Sequence, residues 1–168
     1  QSIDGYFTHL PGIKIAYPSN ASDAKGLLKA ACRMDDPVLY LEHKGLYRQG
    51  YAASEEPDSD YLLNFGKANI VQEGKDLTIV TWGALVQKSI EASRDSQYNI
   101  EIIDIRTLNP FDKGAVLKSV KKTNRLIVAH EDNLTSGFGA EIVSIISNEG
   151  FEFLDAPVKR VASKDVPI

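Results

Sequence analysis

The sequence has a single cysteine, Cys32, in 168 residues, which excludes an internal disulfide and a cysteine-rich zinc site. It has no apolar run of the roughly 20 residues that a bilayer span needs. It also lacks an excess of positive charge. Nineteen basic residues stand against 23 acidic ones, a net of −4, and the acidic residues are scattered. Neither a basic groove for nucleic acid nor a basic amphipathic helix for a membrane surface is present. Low-complexity tracts and internal repeats are missing too. Two Asn-x-Ser/Thr triplets, Asn20-Ala21-Ser22 and Asn133-Leu134-Thr135, come with no signal peptide or disulfide framework, so neither reads as a glycosylation site. The expected location is the cytoplasm, or the mitochondrial matrix in a eukaryote.

What the sequence does have is enough apolar residue, 43% against 25% charged, for an ordinary packed core. Strand-sized apolar runs alternate with segments of helical period, the signature of an α/β protein with a mostly parallel sheet. Ile13 to Tyr17 reads as a buried strand stopped by Pro18. A helix capped by Asn20 or Ser22 then runs to about Met34, with Ala24, Leu27, Leu28, Ala31 and Cys32 on its inner face. Pro37 to Leu41 reads as another strand. From about His43 to Leu62 the periodicity stops, and Glu55, Glu56, Asp58 and Asp60 gather around Pro57, which reads as a solvated linker.

Alternation resumes with an expected edge strand over Gly66 to Val71 and buried strands over Leu77 to Trp82, Ile100 to Ile105, Leu126 to Ala129 and Val158 to Ala162. Helices follow Gly83, Pro110-Phe111-Asp112 and Gly137-Phe138-Gly139. Residues 64–168 therefore read as a complete three-layer unit. Residues 1–42 supply too little core to stand alone and read as the end of a larger domain. The first residue is Gln1 and the chain stops at Ile168 straight after a strand-like run, so the expectation is a fragment.

Candidate chemistry is sparse. Gly137-Phe138-Gly139 precedes a helix, where free N–H groups can face an anion, but Ile142 stands where a dinucleotide loop needs a small residue; a tight strand-to-helix turn is the expectation. His130-Glu131 ends a strand, where α/β ligands bind, yet adjacent strand residues point to opposite faces, so a structural or interdomain role is expected. His9 and His43 have no metal-like spacing to a partner. Cys32 reads as a small core residue. At the end of the first helix the last carbonyls, with Asp35 and Asp36, could hold a cation, although from chemistry alone an ordinary frayed helix end is the better explanation. There is no Ser-His-Asp set, no Walker loop and no Gly-Asp-Gly motif.

Several longer blocks say more. Pro11-Gly12-Ile13-Lys14-Ile15-Ala16-Tyr17-Pro18, then Asp23 to Ala31, then Asp36 to Lys44 with Leu46-Tyr47-Arg48, resemble the β subunit of thiamine-diphosphate-dependent 2-oxoacid dehydrogenases. So do Gly66-Lys67-Ala68, Glu73 to Val80, Trp82-Gly83, Ile103 to Leu108, Ser119 to Thr123 and Leu154 to Val158, in the same order along nearly the whole chain. The resemblance implies a three-layer αβα domain of the transketolase carboxyl-terminal type at 64–168, a linker at 43–63, and the end of a pyrimidine-binding α/β domain at 1–42.

It also implies oxidative decarboxylation of a 2-oxo acid with acyl transfer to a lipoyl group, using thiamine diphosphate and Mg²⁺. The implied partners are an α subunit or fused α region, a second β copy and an acyltransferase component, with neither nucleic acid nor membrane. No catalytic residue carries over: the family's cofactor-activating glutamate and active-site histidine lie upstream of Gln1. One site does carry over, a monovalent cation, K⁺, at the end of the first helix, matching Ala31, Cys32 and Asp36; Met34 replaces an acidic residue often found there. The alternatives are a transketolase or deoxyxylulose-phosphate synthase relative, or a non-catalytic assembly domain of the same fold.

Overall fold

The computed structural model describes residues 2–166; Gln1, Pro167 and Ile168, with the reading of the two chain ends, lie outside them. A short helix, α1 (Asp4–Thr8), precedes strand β1 (Lys14–Ala16), helix α2 (Ala21–Ala31) and strand β2 (Val38–Tyr40). Asn20 caps α2 by accepting from the Asp23 N–H at 2.9 Å. Two short 3₁₀ turns, Lys44–Leu46 and Gly50–Ala52, interrupt the loop that follows. The acidic part of that loop is exposed but fastened to α2: Lys25 Nζ reaches Glu56 at 3.0 Å and the Pro57 carbonyl at 2.8 Å, and Lys29 Nζ reaches the Tyr61 carbonyl at 3.0 Å.

Beyond it come β3 (Asn69–Gln72), β4 (Leu77–Thr81), α3 (Leu85–Arg94), β5 (Ile100–Asp104), β6 (Thr107–Asn109), α4 (Lys113–Thr123), β7 (Leu126–Asn133), α5 (Phe138–Glu149) and β8 (Lys159–Ser163). Five of these strands form one sheet in the order β3-β5-β4-β7-β8. All its neighbours are parallel except the edge strand β3, which runs antiparallel to β5. Period-two alternation along the strands makes two cores. Val80, Ile103, Ile105 and Val128 meet Val116 and Val120 of α4 and Ile142 and Ile146 of α5 on one face. Ile79, Ile100 and Ile102 meet Leu85 and Ile90 of α3 on the other. This is the three-layer αβα arrangement expected from the sequence.

The sixth strand was not expected. After β5 the backbone turns at Arg106 through a positive φ of 59°. Thr107–Asn109 then pairs antiparallel with β1, while β2 flanks β1 in parallel, giving a second sheet of order β2-β1-β6. Residues from both sides of the acidic loop thus build one ladder. The inner face predicted for α2 needs correction: Leu27 is fully buried, but Leu28 is about half exposed and Cys32 is exposed. The buried stripe is centred on Asp23, Gly26 and Leu27, and Leu28 and Cys32 fall on its flank. The helix also stops at Ala31, earlier than expected.

Candidate functional site

In this topology β4 lies where connections reverse direction, with β5 on one side and β7 on the other, so the crevice beyond the carboxyl ends of β4 and β7 is the usual ligand position. Here it is filled by the chain itself. Trp82, just past β4, donates its indole N–H to the Asp4 carboxyl of α1 at 2.6 Å, and Ser2 Oγ donates to the other oxygen at 2.6 Å. Asp4 is wholly buried. The His130 ring lies parallel to Trp82, centroids 5.5 Å apart and planes within 3°. Tyr17 closes the side: a Cβ on Gly83, whose φ is +56°, would meet the Tyr17 ring at 2.9 Å. Burial, with Glu131 and Asp4 nearby, pushes the Tyr17 phenol up to about 12, so it stays neutral.

His130 is 2% exposed, and among the described residues neither ring nitrogen has a well-formed hydrogen bond. Two glycines make room for it. A Cβ on Gly139 would stand 2.4 Å from His130 Cδ2, and one on Gly137 would stand 2.7 Å from Cε1. That is the physical reason for the Gly-Phe-Gly sequence before α5. Gly137 has an ordinary φ of −67° and marks the strand-to-helix turn. Glu131, on the opposite face of β7, pairs with His43 of the loop at 3.0 Å.

A second polar cluster ties α2 to the β5–β6 corner. Arg106 holds Asp23 with two hydrogen bonds, Nε to Oδ2 at 2.6 Å and an Nη to Oδ1 at 2.8 Å. Ser19 Oγ donates to Asp104 at 2.5 Å, and the Arg106 backbone N–H donates to the other Asp104 oxygen at 2.9 Å. Burial pushes the Asp104 carboxyl up to about 7; the Ser19 and Arg106 hydrogen bonds restrain the rise, and the Asp23 carboxyl adds to it.

The sign for stability follows. The folded state binds this proton more tightly than the unfolded chain, whose aspartate titrates near ~4. Between about pH 4 and about 7 stability therefore falls as pH rises, by about 1.4 kcal/mol for each pKa unit of difference. Asp104→Asn should flatten that slope in urea midpoints measured across the window; an unchanged slope would assign it to other groups.

The comparisons with known proteins bear on this two-part geometry. The family pattern "Transketolase, C-terminal domain" matches residues 66–168, and "Transketolase, pyrimidine binding domain" matches residues 2–49. The chain belongs to the transketolase C-terminal domain family. Within this transketolase-type frame it is 43% identical over 99% of its length to the mitochondrial 2-oxoisovalerate dehydrogenase subunit beta of Dictyostelium discoideum, covering 46% of that protein. It is 41% identical over 98% of its length to the pyruvate dehydrogenase E1 component subunit beta of Staphylococcus aureus, covering 51% of it. The chain thus spans about half the length of the curated relatives it matches. A split-gene transketolase, solved as an inactive β4 tetramer, shares the fold with a TM-score of 0.78 at 24% identity, over 99% of this chain and 54% of that one.

In the transketolase-type chain the residues singled out for a cation lie together at the end of α2, but their side chains do not converge. The Ala31 carbonyl already accepts from the Met34 N–H at 3.1 Å, and the Leu28 and Ala30 carbonyls accept from Cys32 and Arg33, each at 3.0 Å. Cys32 and Asp36 are exposed. Any ion there would rely on remaining carbonyl lone pairs. Among the described residues no three His, Cys, Asp or Glu side chains gather as a metal site. The donor set for a diphosphate-bound Mg²⁺ is therefore not assembled by these residues. His9 lies exposed beside a cleft between α1 and the turn before α5. No helix among the described residues is long and apolar enough to cross a membrane.

The sequence reading missed Asp4, Trp82 and Asp104 as members of polar clusters. Trp82 figured as the end of a buried strand and in the family blocks but with no polar partner, and Asp104 sits inside a mostly apolar strand. Only their distant partners give them a role.

Proposed function

We propose that this chain is the carboxyl-terminal half of a β subunit in the decarboxylating component of a 2-oxoacid dehydrogenase complex. The observation that carries the reading is identity above 40% along essentially the whole chain to β subunits of both pyruvate and 2-oxoisovalerate enzymes. The reaction is oxidative decarboxylation of a 2-oxo acid with acyl transfer to lipoyl. Its cofactors are thiamine diphosphate and Mg²⁺, held largely by an α subunit or fused α region, with K⁺ at Ala31, Cys32 and Asp36 through backbone oxygens. A second β copy and an acyltransferase component complete the assembly, in the cytoplasm or mitochondrial matrix. The division into 1–42, 43–63 and 64–168 belongs to the same proposal.

These residues act by support. The Asp4–Trp82 bond and the Asp23–Arg106 pair hold residues before the loop in register with the three-layer unit after it. That register fixes one wall of a cleft completed by the partner. The test is CO₂ release from pyruvate and from 3-methyl-2-oxobutanoate by the full-length protein with its α partner, thiamine diphosphate and Mg²⁺, in K⁺ and again in Na⁺. Turnover of one substrate, faster in K⁺, is expected. No turnover of any 2-oxo acid would remove the enzyme assignment, and equal rates in both salts would remove the K⁺ site alone.

A further inference from the structure

We propose that His130 is a proton-operated latch: α1 stays docked on the three-layer unit while the imidazole is neutral and is released when it is protonated. The proposal stands independently of the enzymatic reading. Its basis is the way the ring is enclosed. One face of the imidazole lies on Trp82, and Gly137 and Gly139 cover its edges closely enough to exclude even a methyl group. Gly137 is in turn covered by α1, since a Cβ on Gly5 would stand 3.3 Å from Gly137 Cα and 3.4 Å from the Phe138 nitrogen. The Gly5 N–H donates to Asp132 at 3.0 Å, and Asp4 takes the Trp82 N–H. α1 and the Gly137 turn are therefore stacked as a lid over a ring whose two nitrogens make no well-formed hydrogen bond among the described residues.

A neutral imidazole tolerates that enclosure at a modest cost. An imidazolium has two N–H donors and a full charge; the Asp132 backbone can take at most one of them, and burying the charge with the other unmet costs several kcal/mol. Water can reach it only if the Gly137 turn and α1 move.

The charged and titratable surroundings are few. Asp4 approaches from α1, Asp132 from the same strand with both its carboxyl and its backbone, and Arg160 from β8. β4 presents the uncharged Trp82, and the Tyr17 phenol is neutral. Glu141 of α5 and His9 after α1 are exposed, and Glu131 faces away toward His43. Desolvation outweighs the pull of Asp4 and Asp132 and holds the imidazole below its ordinary value. With the folded pKa depressed, the unfolded or opened state binds more protons below about pH 6.5, so docking weakens as pH falls.

Hydrogen exchange read by mass spectrometry on the intact protein, corrected for intrinsic rates, tests this. Amides of residues 5–10 should lose protection by up to about tenfold between pH 7.5 and 5.5, because pH 5.5 lies about one unit below the ordinary imidazole value and the docked ring resists the proton. His130→Phe, which keeps the stack without the proton, should hold its protection constant. Constant protection in the wild type, or an equal loss in the variant, overturns the latch. If His130→Phe fails to fold, the emission of Trp82, the only tryptophan in this chain, decides, as the difference between wild type and Trp82→Phe. A red shift on acidification, with the midpoint of the exchange change, supports the latch; emission unchanged by pH overturns it.

Discussion

Replacing Arg106 with alanine should lower the free energy of unfolding by about 3–5 kcal/mol, because it leaves the buried Asp23 carboxyl without its bidentate partner. Asp23 is only 2% exposed and Arg106 is itself largely covered, so water cannot replace the guanidinium cheaply. The loss should exceed that from truncating any surface pair here. Lys113–Glu149, at 2.9 Å but well exposed, illustrates the contrast at about 0–1 kcal/mol. Arg106→Lys should recover only part of the loss, since an ammonium cannot present two parallel donors. Urea unfolding of the wild type, the two Arg106 variants and Lys113→Ala measures all of this. If Arg106→Ala costs no more than the surface pair, the buried cluster does not hold α2 to the β5–β6 corner.

Gly139→Ala should be about as damaging, roughly 3 kcal/mol, by overpacking. The added methyl would overlap the imidazole edge at 2.4–2.5 Å, and the ring has little room to retreat, with Trp82 against its face and the Gly137 backbone close to its Cε1 edge. Helix propensity favours alanine over glycine by about 1 kcal/mol, so a net loss would come from the steric term alone. The decisive comparison is a double-mutant cycle with His130→Ala. Removing the ring opens space for the methyl, so the double variant should be more stable than the summed single effects by about 1–3 kcal/mol. Strict additivity would show that the glycine is not there for the histidine.

Much of the three-layer unit was legible because its elements are long and strongly patterned. Leu77–Thr81 and Ile100–Asp104 are rich in β-branched apolar residues and buried along almost their whole length, and α4 and α5 carry their core residues at helical spacing. β6 escaped because three residues carry no period, and its existence depends on the Arg106 turn and on β1, some ninety positions earlier in the chain. Helix α1 escaped for a similar reason, being five residues whose burial depends on α5. Cys32 and Leu28 shared a helix face with Leu27 on paper, but the side that packs is narrower than the sequence stripe.

For the site, position at a strand end singled out His130 and Glu131, and the glycines before α5 drew attention for a different reason. What joined them was distance in space. Asp4 meets Trp82, and the glycines meet the ring, across separations that no local pattern encodes. Asp104 looked like one more position in a buried strand until Ser19 and the Arg106 backbone were seen to be its donors.

The β1–β6 ladder changes what counts as a module in this protein. A gene divided or recombined at the acidic loop would hand one product a sheet missing its third strand and the other a loose strand with nothing to join. Inheritance of the two halves is thus tied together by main-chain hydrogen bonds that leave little trace in side-chain identity. Exchange between relatives would succeed only where Thr107–Asn109 travels with a compatible Lys14–Ala16.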